Sequence, residues 1–344
     1  MKRSLAIVLA LVLAVSLFSV VAGAADDAPA AEPTYVWNLG CIANDPASVP
    51  DYNANGNAIQ VFADKVFEYS NGQAVVNVHW ASVLGSNVTM FEEIMNGTLD
   101  FHAGQPMSSA DKRFGCWNIP FVYSNYDEVL AATNRADGPV FALSSQWMED
   151  DGVKLLAMGV GSLRGFVSNV EVHTPADCSK LKIRTYEDAL VNNYWGSIGT
   201  ASIIPGSEIY SALQTKTVDA MEFHPTGVYA YRLNEVAGYY APVNWQDTMG
   251  TVLSMPLDLW NSLPEDIQEA IQLAADDYET AQYERMTADT ETVLDTLAEL
   301  GMQITELSEE DMQAWHDSAD ALEDFFKEFV GEDIYAAYME ALGK

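Results

Sequence analysis

Positive charge is scarce in this chain. Its 344 residues hold 16 lysines and arginines against 50 aspartates and glutamates, a formal net charge of −34. Phosphate contacts need clustered Lys and Arg, and no basic stripe is present, so nucleic-acid binding is excluded. The acidic excess fits solubility in salt or attraction to a basic partner surface. Cysteine is scarce as well. Cys41, Cys116 and Cys178 are the three; their spacing matches neither a zinc site nor a CxxC redox pair, and an odd count leaves at least one free thiol. Buried apolar packing is expected for all of them. The five histidines, His79, His102, His173, His224 and His316, lack metal-ligand spacing. There is no Gly-x-Ser-x-Gly elbow, no HExxH and no paired histidine and cysteine, so the commonest signatures of hydrolytic chemistry are missing. Beyond the first two dozen residues, no uncharged apolar run reaches the roughly 18 residues that a membrane span needs.

The N-terminus is where apolar residues do concentrate. Lys2 and Arg3 precede a run from Leu5 to Val21 that ends in Ala22-Gly23-Ala24. A basic start, an apolar stretch and a small-residue site make a secretory signal over residues 1–24, with cleavage expected before Ala25. Asp26 and Asp27 follow instead of a basic stop-transfer flank, so a membrane anchor is the poorer reading. Cys41 lies too far beyond the run to be a lipid anchor. The expectation is an exported, periplasmic chain that is not membrane-embedded after cleavage. Residues 25–33 read as a flexible leader. Removing the signal leaves 344 − 24 = 320 residues, more than one hydrophobic core usually serves, and two lobes are expected.

Periodicity supports two lobes. Tyr35 to Gly40 reads as a strand, Asn57 to Tyr69 as a helix, Val75 to Trp80 as a second strand, and a helix through Met90, Ile94 and Met95 ends at Gly97. Strand, helix, strand, helix points to a parallel sheet with right-handed crossovers. The rhythm restarts with a strand at 152–158, a capped turn at 174–179, a strand at Leu181 to Arg184, a helix from Tyr186 to Ile198, a strand at Thr200 to Ile204 and a helix at Glu208 to Thr215. From Leu263-Pro264-Glu265-Asp266 long acidic helices follow, one to about Leu300 and one from Ser308 to Val330, with a strand between them. Pro264 and the two acids suit a helix start. Lobe I is expected over 34–156, lobe II over 157–250, and a crossover back to lobe I with C-terminal helices over 251–344.

Several runs in this order carry a resemblance: Leu84-Gly85 with Glu92-Glu93 and Gly97-Thr98-Leu99-Asp100; Ile119-Pro120-Phe121 with Tyr126-Asp127-Glu128; Leu181-Lys182-Ile183-Arg184; Glu208 to Gln214; Val218-Asp219-Ala220-Met221-Glu222; and Trp260-Asn261-Ser262-Leu263-Pro264 with Gln268. Each is weak alone. Together, across nearly all of the mature chain, they resemble the binding-protein component of tripartite ATP-independent periplasmic (TRAP) transporters, the dicarboxylate-binding DctP-like family. The resemblance implies an α/β, two-lobed periplasmic binding protein fold, each lobe a βα sheet domain, with an interlobe cleft and long C-terminal helices. It also implies TRAP membrane subunits as partners and a small organic anion as ligand: two arginines permit a C4-dicarboxylate, a cation site would favour a 2-oxo or 2-hydroxy acid, and a sulfonate fits the same donors.

Arg184 sits at a strand end before a helix, where its planar fork can meet a carboxylate with two parallel hydrogen bonds; it matches the position of the family's main carboxylate-binding arginine. Its alternative is a surface salt-bridge partner. Arg164 lies in a segment similar to the one carrying the family's second polar or basic ligand contact, with an exposed strand-end arginine as the alternative. Val218 to Phe223 is similar to a subgroup that binds 2-oxo or 2-hydroxy acids together with a cation. By that resemblance Glu222 and Asp247 are the metal ligands, for Ca²⁺ or Na⁺. The alternative is that Glu222 pairs with an arginine and no cation is needed. Phe223 and Trp245 flank the two acids and are expected at the ligand; His224 adjoins them but has no counterpart in that subgroup, and Asn38, read as ending the first strand, could supply an amide from lobe I. A non-enzymatic binding module is the leading reading. A secreted hydrolase lacks its motifs, and a sensor domain is disfavoured because no linker or span follows Lys344.

Overall fold

The computed structural model describes residues 32–246 and 252–344. The expected signal 1–24, nearly all of the leader and Asp247 therefore lie outside the described residues. Among the described residues, no helix is long and apolar enough to cross a membrane.

The first segment lays down strand β1 (Tyr35–Cys41), helix α1 (Ala54–Tyr69), β2 (Ala74–His79), α2 (Asn87–Met95) and β3 (Phe101–Ala103). A 3-10 segment at Lys112–Asn118, then α3 (Tyr126–Thr133), α4 (Pro139–Asp150) and β4 (Val153–Met158) complete it. Local chemistry explains these boundaries. Asn53 caps α1 by accepting the Gly56 N–H at 3.2 Å, and Ser86 caps α2 through the Thr89 N–H at 3.1 Å. The inward face of α1, Ile59, Phe62, Ala63 and Val66, recurs at helical spacing and is fully or nearly fully buried.

The second segment forms β5 (Gly165–Ser168), β6 (Lys182–Thr185), α5 (Ala189–Ile198), β7 (Thr200–Ile203), α6 (Ile209–Gln214), β8 (Ala220–Phe223), α7 (Pro225–Ala230) and β9 (Tyr239–Ala241). The chain then returns through β10 (Val252–Pro256), α8 (Leu257–Ser262), α9 (Glu265–Glu299) and β11 (Gln303–Ile304), and closes with α10 (Glu309–Asp320), α11 (Glu323–Val330) and α12 (Glu332–Ala341).

Two sheets result, β2-β1-β3-β10-β4 and β11-β9-β5-β8-β6-β7. Neither is wholly parallel, which corrects the expectation from the strand-helix rhythm. β10 runs antiparallel to both β3 and β4, and β5 antiparallel to both β8 and β9. The reason is topological. A strand that enters a lobe from the crossing segments starts at the edge where the β-α strands finish, so it must run against them.

The 35-residue helix α9 is the spine, about 52 Å long at ~1.5 Å per residue. Its first half, through Ile267, Ile271, Ala274 and Tyr278, is buried with β1 and α1 of the first lobe. Its last turns, through Val293 and Leu297, are buried with the second sheet. At the crossing, Gly159 lies so close to Gln282 of α9 that a Cβ there would overlap the carboxamide oxygen, and Gln282 is itself fully buried and bonded to Asn55 at 2.5 Å. All three cysteines are buried and free; burial pushes the Cys41 and Cys178 thiols up to about 12, so they are inert packing groups.

Candidate functional site

Because β6 runs parallel to β8 while β5 runs antiparallel to it, the ends of β6 and β8 share one sheet edge with the start of β5. Arg184 is the penultimate residue of β6, Glu222 the penultimate residue of β8, and Arg164 immediately precedes β5. Three charged side chains far apart in sequence thus meet at one edge. All are buried: Arg184 is 5% exposed, Arg164 6% and Glu222 0%.

Their partners differ. Arg164 donates from Nε to Glu222 Oε2 and from Nη2 to the Glu222 main-chain oxygen at 3.3 Å. Burial works against the charge of Arg164, but the adjoining Glu222 outweighs it and holds the guanidinium above its ordinary range. Arg184 donates from Nε to the Ile204 carbonyl at 2.9 Å; among the described residues it has no carboxylate within 4.0 Å. Burial, and secondarily the charge of Arg164, pull it below its ordinary range despite the attraction of Glu222. Glu222 Oε1 is buried and has no hydrogen-bond partner among the described residues.

Aromatic rings line both guanidiniums. Tyr186, two residues after Arg184, lies under Arg184 at 5.7 Å and under Arg164 at 5.8 Å, and Phe223 lies 5.2 Å from Arg164. His224 stacks on Phe223 with centroids 4.6 Å apart. Its Nδ1 accepts the Gly227 N–H at 2.9 Å and so caps α7. Burial, then the charge of Arg164, bring its pKa down to about 3, so the ring is neutral near pH 7 and its proton sits on Nε2.

Tyr186 also reaches across to the first lobe. Its hydroxyl donates to Asn118 Oδ1 at 3.4 Å, an oxygen that also accepts from Gln105 at 3.3 Å and from Gln246. A second link joins Ser108 to Asp188 at the N-terminus of α5, where Asp188 also accepts the Leu190 and Val191 N–H groups.

Of the expected residues, Arg184, Arg164, Glu222, Phe223 and His224 come together. Two others sit elsewhere. Trp245 is fully buried among lobe II aromatics, 5.4 Å from both Tyr194 and Trp195, so it packs the core behind the edge. Asn38 is in the middle of β1, not at its end; its side chain meets His79 at 2.9 Å and its N–H donates to Asp100 at 2.8 Å. Of the two acids expected to hold a cation, Glu222 faces Arg164, and among the described residues no group of three or more His, Cys, Asp or Glu could hold a metal. Sequence reading missed Tyr186, Asn118, Gln105 and Gln246. Only Tyr186, adjacent to the arginine strand end, left a local signal.

The profile of bacterial extracellular solute-binding protein family 7, DctP, matches residues 47–328. The C4-dicarboxylate-binding periplasmic protein DctP of Rhodobacter capsulatus is 24% identical over 295 residues, covering 83% of this chain and 86% of that protein. A TRAP periplasmic solute binding protein from Sulfurospirillum deleyianum, solved with bound succinate, superposes with a TM-score of 0.79 at 20% identity over 89% of this chain and 99% of that one. One from Chromohalobacter salexigens, solved with bound D-glucuronate, superposes with a TM-score of 0.81 at 22% identity over 89% and 99%. With its two lobes, mixed sheets and long spine helix, the chain belongs to family 7 of the bacterial extracellular solute-binding proteins, the DctP family of TRAP binding proteins, whose members bind solutes and are not enzymes.

Proposed function

We propose that this protein captures a small organic acid in the periplasm and delivers it to TRAP membrane subunits, with Arg184 taking the carboxylate. One observation carries this reading: Arg184 is buried yet has no anionic partner among the described residues. A desolvated guanidinium is stable where a carboxylate meets its fork, and its planar donors fit two carboxylate oxygens at once. Arg164 is the lesser candidate because Glu222 already engages it. The C4-dicarboxylate, succinate and D-glucuronate named for the related proteins above all carry carboxylates, which supports the same class here. Ligand contact with both lobes would stabilise the closed arrangement by its differential affinity, and the hydrogen bond from Tyr186 to Asn118 of the first lobe supports this reading.

The test is titration calorimetry of the mature protein and of Arg184→Ala against an organic-acid panel that includes succinate, D-glucuronate and D-gluconate. Binding by the parent and a loss of at least a hundredfold in the variant are expected, with the variant still folded by circular dichroism. Undiminished affinity in a folded Arg184→Ala protein rules the role out.

A further inference from the structure

We propose that the first turn of α5 is a latch between the lobes, in which Leu190, Asp188 and Ser108 act as positioning residues. They hold the closed arrangement through direct contacts of one lobe with the other. This goes beyond the reading of Arg184 and does not depend on which acid is carried.

Three observations carry it. First, α5 divides its buried residues between two cores. Val191, Tyr194 and Trp195 are buried with Phe166 and Ile183 of the second sheet. Leu190, 0% exposed, turns the other way and is buried with Phe114, Trp117 and Val330 in the core of the first lobe. The approach is close: a Cβ added to Gly115 would stand 3.0 Å from Leu190 Cδ1 and 3.1 Å from Val330 Cγ1. A glycine at that point gives the leucine its seat.

Second, Asp188 is 2% exposed and serves both lobes. Its Oδ1 accepts the Leu190 and Val191 N–H groups at 2.9 and 3.1 Å and so caps α5, while its Oδ2 accepts the Ser108 hydroxyl at 2.5 Å. The cap is complete without the serine, so the second oxygen joins the lobes instead of starting the helix. Third, Tyr186 donates to Asn118 at 3.4 Å. Residues 186, 188 and 190 thus meet the first lobe at three points within five residues, directly after β6 and its Arg184.

Parting the lobes here would expose a leucine side chain to water and exchange a charge-assisted hydrogen bond for hydration. Each loss shifts a two-state ratio by about tenfold or more. A closed state supported in this way is populated before any ligand arrives, and a ligand need supply only the remaining difference.

The test uses ligand-free mature protein carrying spin labels at Asp64→Cys on α1 and Thr215→Cys after α6, both exposed positions; the three native cysteines are buried. Distances are read by pulsed electron double resonance. A major population at the separation in the structure is expected for the parent. Ser108→Ala and Leu190→Ala should each lower its ratio to longer separations by about tenfold or more, whereas Leu190→Met, which keeps the volume, should stay near the parent. Circular dichroism checks that each variant is folded, and Ser108→Ala decides the matter if Leu190→Ala is not. Should the parent be closed too fully for a tenfold change to show, the double variant Ser108→Ala with Leu190→Ala must open it. A ligand-free parent found only at longer separations overturns the proposal. So does an unchanged distribution in the folded variants, because the contacts would then persist in both arrangements as fixed packing.

Discussion

Replacing each of the two buried arginines by methionine should move stability in different directions. Arg184→Met removes one charged hydrogen bond to the Ile204 carbonyl, a loss of about 1.5–3 kcal/mol. Against this, it removes a guanidinium that is 5% exposed and lies near a second one, relieving a desolvation penalty of several kcal/mol, and methionine fills much of the volume. The sum lies between no change and a gain of about 3 kcal/mol. Arg164→Met instead strips Glu222, 0% exposed, of its ion-pair partner, and breaking such a buried pair costs about 3–5 kcal/mol. At about 2 °C per kcal/mol for a chain of this size, the midpoints separate: unchanged or up by as much as ~6 °C for Arg184→Met, down by ~6–10 °C for Arg164→Met. The assay is thermal unfolding of the ligand-free mature protein, followed by circular dichroism at pH 7. Adding a bound acid at a hundred times its Kd should then raise the parent by about 2.7 kcal/mol and leave Arg184→Met unmoved. Equal destabilisation by the two substitutions refutes the reasoning, because Arg184 would then have an anionic partner within the protein.

Further outcomes follow from the same geometry. His224 has a folded pKa of about 3 against an ordinary 6.5; the unfolded chain binds a proton that the native chain does not, so its contribution is full above about pH 6.5 and is lost as pH falls toward 3. Urea midpoints of His224→Asn, which keeps the cap on α7, should fall less steeply than the parent's between pH 6.5 and 4; equal slopes contradict the assignment. Glu279 behaves oppositely, since burial and then the nearby Asp276 push it up to about 7 from 4.5 although it accepts the Arg135 N–H. Its contribution is full below about pH 4.5 and is lost as pH rises through 7. Glu279→Gln should therefore gain stability relative to the parent at pH 8 and little at pH 4. At the lobe crossing, Gly159→Ala should cost about 1–3 kcal/mol by forcing Gln282 aside, and the second change Gln282→Ala should restore part of that loss in chemical denaturation.

Much of the architecture was legible because local rules agree with it. The helix from about residue 57 to Tyr69 was readable from its apolar face, and α9 from Pro264 and the acids after it. The antiparallel strands β5 and β10 were not, since strand direction leaves no mark in a five-residue pattern and is set by which edge the chain enters from. Trp245 shows the same limit. Its position beside the acids suggested a ligand wall, yet the adjoining rings of Tyr194 and Trp195 enclose it.

By itself the sequence determined the acidic surface charge, the strand-helix alternation, the absence of hydrolytic motifs and the short roll of residues able to grip an acid. Those properties depend on composition and on spacing within one element. The tertiary structure alone decided that Glu222 takes Arg164 and leaves Arg184 without a carboxylate among the described residues. Residues 164, 184 and 222 sit on three different strands, and which of them pair depends on strand order and direction.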